Sequence, residues 1–142
     1  LDDLGRDPNN GWAQWIRGWT AEENRHGDLL NRYLYLCGRV NMREFELSTQ
    51  YLIADGFDLG TAHDPYRAFV YTSYQETATN LSHRRVGTLA RKAGDDQLSK
   101  ICGMIAGDET RHARVYKTFV EKIFEVDPSE MMLAFEDMMR KK

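Results

Sequence analysis

Two copies of one short motif constrain the fold of this chain more than any other feature of its sequence. His26 follows Glu23 by three residues, and His112 follows Glu109 in the same way; in both copies an acid precedes the Glu and an Arg precedes the His. On a helix, this spacing places Glu and His on one face about one turn apart, so both side chains can reach one metal ion. The motifs therefore predict two helices that carry metal ligands.

The rest of the sequence also has helical periodicity, and no run shows sustained strand alternation. Asp64-Pro65 is a typical helix start, and Gly38, Gly56 and Gly94 are typical stops. Short linkers favour a helical bundle, with residues 1–142 as a single domain. The predicted helices are Trp12 to about Leu36, Asn41 to about Asp55, Pro65 to about Arg84, Arg85 to Ala93, Asp95 to about Glu125, and a last one begun by Asp127, Pro128 and Glu130 as in a capping box.

Both Glu-His pairs interrupt apolar stripes that should face the core. The first stripe runs through Trp12, Trp15, Ile16 and Trp19, which we interpret as core packing, and the second runs from Leu98 to Ile123. A carboxylate on such a stripe is costly to bury unless a metal ion or a buried ion pair compensates it. The simplest alternative, two surface Glu-His pairs, does not explain why both pairs lie within apolar stripes.

Oxygen and imidazole ligands without a thiolate favour iron or manganese over a structural zinc. Ferritin-like di-metal bundles add a single Glu from each of two further helices. Glu76 fits that role, because it lies on an apolar stripe with Phe69, Val70 and Ser73. No second single Glu fits, since Glu44 and Glu46 resemble surface charges and Asp2 and Asp3 lie in a loop-like start. We therefore expect the sixth ligand upstream of Leu1, and the chain to be the C-terminal portion of a longer domain.

Composition excludes several other classes of protein. The net charge of −3 argues against a nucleic-acid binder that relies on bulk basic charge. No run of about 18 apolar residues predicts a membrane span, so we expect a soluble protein. Cys37 and Cys102 lack metal-type spacing and are interpreted as free thiols.

Four stretches of the sequence resemble the soluble acyl-acyl-carrier-protein desaturases of plastids and bacteria, and the similarity runs from about Trp12 to Lys142. These stretches are WTAEENRHGDLLNRYLYLCGRV, YTSYQETATNLSH, AGDETRHARVYKTFVEKIFEVDP and LAFEDMMRKK. The resemblance implies an all-α, ferritin-like di-iron bundle whose N-terminal helices are missing here. It also implies an oxidoreductase of fatty acid biosynthesis that uses O2 and ferredoxin electrons to put a cis double bond into a saturated acyl chain held on acyl carrier protein.

The same resemblance assigns roles to individual residues. Glu23 and Glu109 would bridge two Fe²⁺ ions, His26 would bind the first ion, and Glu76 and His112 would bind the second. Thr79 matches a threonine beside the oxygen site, although a helix Thr more simply bonds its own backbone. Asp108 matches an acid that fixes a ligand histidine; Glu22 has a weaker claim.

The chain departs from the plant members of the family in places that touch no ligand. Those members usually carry Lys where Thr110 stands and Glu where Ala113 stands, and the run HRRVGTLARK also differs. The expected location is therefore the plastid stroma for a photosynthetic eukaryote, and otherwise the bacterial cytoplasm.

The expected partners are acyl carrier protein, ferredoxin and a second copy of the chain. The run from His83 to Lys92 contains Arg84, Arg85, Arg91 and no acid, so it could dock an acidic partner, or it could be a solvated face. Two alternatives stay open: another ferritin-like di-iron protein, such as an iron store or a radical-generating subunit that uses Tyr116, and a helical interaction module without iron.

Overall fold

A computed structural model of the chain describes residue 7, residues 9–61 and residues 63–141. All regular structure among these residues is helical, as predicted. The described residues form two compact units, one up to Met42 and the other from Arg43 onward; the expectation of a single domain stays a prediction. The helices are α1 (Gly11–Cys37), α2 (Met42–Asp55), α3 (Pro65–Lys92), α4 (Asp96–Val126) and α5 (Pro128–Arg140).

Local side-chain chemistry explains where these helices begin and end. Asn10 caps α1 by accepting bonds from two backbone amides, and Gly38 ends it in the left-handed conformation at φ 64°. Asp64 caps α3 in the same way ahead of Pro65. Asp127 accepts from the amide of Glu130 at the start of α5, but its own N–H donates to the Ile123 carbonyl at 2.8 Å. The capping box is therefore only half formed.

The prediction of a separate helix from Arg85 to Ala93 is wrong, because α3 continues without a break to Lys92. One side-chain bond spans the expected break: Thr88 Oγ1 donates to the Arg84 carbonyl at 2.9 Å. Gly87 does not stop the helix. A Cβ at this position would lie 3.2 Å from Cys102 Cβ, so the glycine allows α3 and α4 to approach closely.

A short turn at Gly94 joins α3 to α4, and the two helices pack antiparallel as a long hairpin. The predicted apolar stripe of α4 is confirmed, with Ile101, Cys102 and Ile105 buried. Helix α5 closes one end of the hairpin with Met131 and Met138, which pack with Val70 of α3. The middle of the hairpin, between α5 and the turn, is the layer that carries the ligand residues.

Ion pairs and a hydrogen bond hold α5 against the start of α3. Arg67 Nε lies 2.8 Å from Asp137 Oδ2, and Lys141 Nζ lies 3.0 Å from the same oxygen. The Tyr66 hydroxyl donates to Asp127 Oδ2 at 3.2 Å, and this bond raises the pKa of the tyrosine. The end of α3 that begins at Pro65 is thus fixed to both ends of α5.

The interpretation of the α1 tryptophans as core packing is wrong for Trp12, which is 46% exposed, and Ile16 on the same stripe is 47% exposed. Trp15 and Trp19 are half-buried. The described part of the first unit contains one helix, and one helix cannot bury its own apolar stripe. On α2, Glu44 and Glu46 are exposed as predicted. The proposed loop acids Asp2 and Asp3 lie outside the described residues.

Candidate metal centre

Glu76 lies in the middle of α3 on the face that packs against α4, and only 3% of it is exposed. The apolar stripe that predicted this position is present, since Val70 is buried and Phe69 packs against Tyr116 and Phe119 of α4. Burial of a carboxylate among such neighbours requires a compensating positive group or metal ion.

Glu109 and His112 face Glu76 from α4, and both are buried. His112 Nδ1 lies 3.3 Å from Glu76 Oε2 and 3.7 Å from Glu109 Oε2. One ligand atom from each of the three residues lies within 4.8 Å of those of the other two. The structure therefore brings together three of the five predicted metal ligands within one unit.

The spacing of these atoms fits a metal ion. Bonds from a metal to carboxylate oxygen or imidazole nitrogen are about 2.0–2.2 Å long, so neighbouring ligand atoms around an ion lie about 3 Å apart. The distances of 3.3 and 3.7 Å are close to that value. Because Nδ1 of His112 faces both carboxylates, Nδ1 is the atom that would bind the ion. The donor set is oxygen and nitrogen without sulfur, which suits iron or manganese.

The second predicted pair lies on α1, in the other unit, and has the same local geometry. Glu23 Oε2 lies 3.5 Å from His26 Nδ1, and His26 is 5% exposed. Both motifs thus present Nδ1 of the histidine to the carboxylate one turn earlier. This local match follows from the shared spacing of three residues.

The two residues predicted to assist the reaction are engaged close to the ligands. The Thr79 hydroxyl donates to the carbonyls of Gln75 and Glu76, both at 3.1 Å, as in the simpler interpretation of a helix threonine. Asp108 pairs with Arg111 at 2.6 Å, and Glu22 pairs with Arg25 at 3.8 Å. Their roles beside oxygen and a ligand histidine stay predictions.

His83 is a site residue that the sequence analysis missed. Its Nε2 lies 4.0 Å from Glu109 Oε1, and its side chain is 20% exposed. The sequence analysis places it only at the start of the run from His83 to Lys92, which it interprets as a docking surface or a solvated face. Its distance of seven residues from Glu76, two helical turns along the same face, was the signal that could have identified it.

The remaining sequence predictions concern the surface and the cysteines. Arg84, Arg85, Arg91 and Lys92 are exposed on the second half of α3, so they are available to a partner, and docking stays a prediction. Cys37 and Cys102 are free thiols as predicted. Among residues 9–61 and 63–141, no helix combines the length and apolar content that a membrane span requires.

Buried carboxylates and an imidazole on antiparallel helices define the class of this protein: a helical protein with a carboxylate-rich metal-ligand set. Residues 2–142 match the model of the fatty acid desaturase family. The chain therefore belongs to the fatty acid desaturase family, which confirms the resemblance. The family is a ferritin-like helical bundle, so the predicted fold class is confirmed as well.

Individual relatives narrow the comparison to plant enzymes that act on carrier-bound acyl chains. The chain is 60% identical to a chloroplastic stearoyl-acyl-carrier-protein 9-desaturase of Gossypium hirsutum, over 92% of the chain and 33% of the relative. It is 56% identical to a chloroplastic palmitoyl-acyl-carrier-protein 4-desaturase of Coriandrum sativum, over 99% of the chain and 36% of the relative. The chain thus spans about a third of the length of these curated relatives.

Proposed function

We propose that this chain is the di-iron part of an acyl-acyl-carrier-protein desaturase, which introduces a cis double bond into a saturated acyl chain. The observation that carries the proposal is the buried cluster of Glu76, Glu109 and His112 in a member of the fatty acid desaturase family. Family membership and the names of the relatives favour this function over an iron store or a radical-generating subunit.

We assign the ligands as the family resemblance implies: Glu76, Glu109 and His112 of the hairpin would hold iron, and Glu23 and His26 of α1 would supply the other ligands from this chain. Two features of the chain support this assignment. The three residues of the α3–α4 hairpin already lie at ligand spacing, and Glu23 and His26 have the local geometry of Glu109 and His112. The assignment leaves one position for a ligand from outside this chain.

When bound, the iron pair would supply the oxygen chemistry that removes one hydrogen from each of two adjacent, unactivated methylene groups. The side chains of this chain hold the metal and exclude water. Glu76, Glu109 and His112 are each no more than 3% exposed, and Phe69, Tyr116 and Phe119 form an apolar layer one to two turns away from them. An apolar acyl chain is compatible with such surroundings, whereas a polar substrate would lose hydration there.

The double-bond position and the acyl length stay open in this proposal. The chain has similar identity, 60% and 56%, to a relative named for position 9 of a stearoyl chain and to one named for position 4 of a palmitoyl chain. Identity over this segment therefore does not discriminate between the two specificities.

We assign ferredoxin as electron donor, acyl carrier protein as substrate carrier and a homodimer as the assembly. We also assign the plastid stroma as location, because the relatives are named as chloroplastic. The exposed arginines of α3 are the surface that we assign to an acidic partner.

The decisive experiment combines iron analysis with product analysis. The protein that contains this sequence is supplied with stearoyl- or palmitoyl-loaded carrier protein, O2 and reduced ferredoxin. We expect bound iron and an unsaturated product, and loss of both in Glu109→Ala, because that buried carboxylate is one of the proposed ligands. Bound iron without a double bond would rule out the desaturase, and full iron content in Glu109→Ala would rule out the ligand assignment.

A further inference from the structure

Asn80 lies one turn beyond Glu76 on α3 and connects that helix to α4 through its side-chain amide nitrogen. Its Nδ2 donates to the Ala106 carbonyl at 2.5 Å and to Thr110 Oγ1 at 2.7 Å. The Thr110 hydroxyl in turn donates to the same Ala106 carbonyl at 2.8 Å. These bonds form a closed triangle between the two helices that carry the ligands.

Arg84 fixes the orientation of this amide. Its Nε donates to Asn80 Oδ1 at 3.0 Å, so the amide oxygen faces the guanidinium and the nitrogen faces α4. The opposite orientation would direct the amide oxygen at the Ala106 carbonyl and the amide hydrogens at the guanidinium, so these two contacts would become unfavourable. The side chain of Asn80 therefore has one orientation that satisfies its two donors and its acceptor.

We propose that the Asn80–Thr110 clamp, defined as Asn80, Thr110 and the Ala106 carbonyl, is a positioning device that sets the register of α3 against α4 and so holds Glu76 at ligand distance from His112. The proposal rests on the metal centre proposed above. Asn80 is four residues from Glu76, and Thr110 lies between Glu109 and His112 in sequence.

Register matters here because the ligands come from two helices. A shift of one residue along a helix is a rise of about 1.5 Å, which would separate His112 Nδ1 from Glu76 Oε2, now 3.3 Å apart. Apolar contacts resist such sliding weakly, since they have little directional preference. Hydrogen bonds of fixed geometry resist it, and the clamp supplies them within one turn of the ligands.

The chain offers a matched pair of threonines for the test. Thr110 and Thr118 are both exposed on α4, and each hydroxyl donates to the carbonyl four residues earlier. Of these two hydroxyls, only that of Thr110 also accepts a hydrogen bond from the Asn80 amide. Thr118→Val therefore controls for loss of a helix hydroxyl, and Thr110→Ser keeps the clamp while it changes the residue.

The first measurement needs no metal: the Asn80 side-chain amide of the metal-free chain should show an NMR cross-peak to Thr110. The second is a Co²⁺ titration followed by visible absorption, at a temperature where circular dichroism shows every variant folded. We expect Asn80→Leu to weaken Co²⁺ binding about tenfold, the lower end of the range for residues that support metal ligands, and to change the Co²⁺ band shape, which reports ligand geometry. Thr110→Val should weaken binding less, because Ala106 still accepts one Asn80 hydrogen.

Several outcomes would overturn the proposal. The positioning role would be contradicted if Asn80→Leu and Thr110→Val had the same Co²⁺ affinity and band shape as Thr118→Val. It would also be contradicted if Thr110→Ser bound Co²⁺ as poorly as Thr110→Val. If Asn80→Leu does not fold, the three exposed threonine variants decide the matter. Absence of Co²⁺ binding by the parent chain would contradict the metal centre itself, and the NMR cross-peak would then decide separately whether the clamp exists.

Discussion

At the scale of single residues, Glu76 and Glu109 illustrate how the ligands of a metal site lower the stability of a protein without its metal. Two carboxylates and one imidazole lie together at a position that is almost fully buried. Like charges in a buried site repel, and burial removes the hydration that would stabilise each of them. Such groups lower the stability of the metal-free chain. A bound cation offsets this loss of stability because it attracts both carboxylates.

We therefore expect Glu76→Gln to raise the free energy of unfolding of the metal-free chain by about 1 kcal/mol, because it removes one buried charge and keeps the side-chain shape. The same change should weaken metal binding at least tenfold. Urea unfolding in the presence of a chelator measures the first effect, and a metal titration measures the second. Glu46→Gln on exposed α2 is the control, and we expect it to alter neither quantity. A less stable Glu76→Gln variant would contradict this account of the site.

The sequence predicted which polar side chains lie buried on the core face of each helix, and it did so for a physical reason. Glu76, Glu109 and His112 interrupt apolar stripes, and a polar group on a core face is conspicuous. The pairing of Asn80 with Thr110 could not be predicted in this way, although Thr110 was recognised as a departure from the plant pattern. The two residues are 30 positions apart on different helices, and periodicity predicts the face of a helix but not its register against a neighbour.

At the scale of elements, the α3–α4 hairpin depends on one close approach. Gly87 is buried against Cys102 and Ser99. The sequence analysis divided α3 between Arg84 and Arg85, and an isolated glycine such as Gly87 weakens a helix. Only the packing of the two helices explains why a helix interior tolerates a glycine here. The apolar stripe of α1 was misinterpreted for a related reason, because a stripe shows which face is apolar and does not show what covers it.

Gly87→Ala and Gly103→Ala should therefore have opposite effects on stability. A Cβ at Gly87 would lie 3.2 Å from Cys102 Cβ and 3.4 Å from the Ser99 carbonyl oxygen, whereas a Cβ at Gly103 meets no atom within 4 Å. We expect Gly103→Ala to gain up to about 1 kcal/mol from helix propensity. We expect Gly87→Ala to lose about 1 kcal/mol net, since overpacking outweighs that gain. Thermal unfolding of both variants measures these changes in stability. Equal stabilisation would mean that α3 and α4 can move apart to admit the new methyl group without loss of stability.

At the scale of the whole molecule, the described residues leave many large apolar side chains at the surface. The chain spans about a third of the length of its curated relatives, and large apolar side chains such as Leu52, Ile53 and Phe57 are exposed. The described residues beyond Arg43 nevertheless have their own core and their own ion pairs. Among these ion pairs, Asp137 of α5 pairs with Arg67 of α3 and with Lys141. Lys141 in turn contacts the segment before Pro65.

These contacts make stability depend on pH in the acid range. The hydrogen bond from Lys141, together with the charge of Arg67, lowers the pKa of Asp137 below its ordinary 3.8. Lys141 also donates to the Gly60 carbonyl. Because the folded-state pKa is the lower one, this carboxylate stabilises the fold fully above about pH 4, near the pKa of an unperturbed Asp. The contribution is lost as the pH falls through the lowered value.

We accordingly expect Asp137→Asn to be less stable than the parent chain at pH 6, with a difference that shrinks as the pH falls below 4. Urea unfolding at pH 6 and at pH 3 measures that difference in the free energy of unfolding. Asp55→Asn, on exposed α2, provides a control of equal charge. A difference that stays constant from pH 6 to pH 3 would show that Asp137 acts through packing and not through its charge.

The contact between Gly87 and Cys102 also allows opening of the α3–α4 hairpin to be measured by thiol labelling. Cys102 is fully buried, and burial raises the pKa of its thiol, so a thiol reagent in solution can reach it only after α3 and α4 separate. Cys37 is partly exposed and reacts without that step. The labelling rate of Cys102 relative to that of Cys37 in a single sample therefore reports how often the hairpin opens. Bound metal should lower the labelling rate of Cys102 and leave that of Cys37 unchanged.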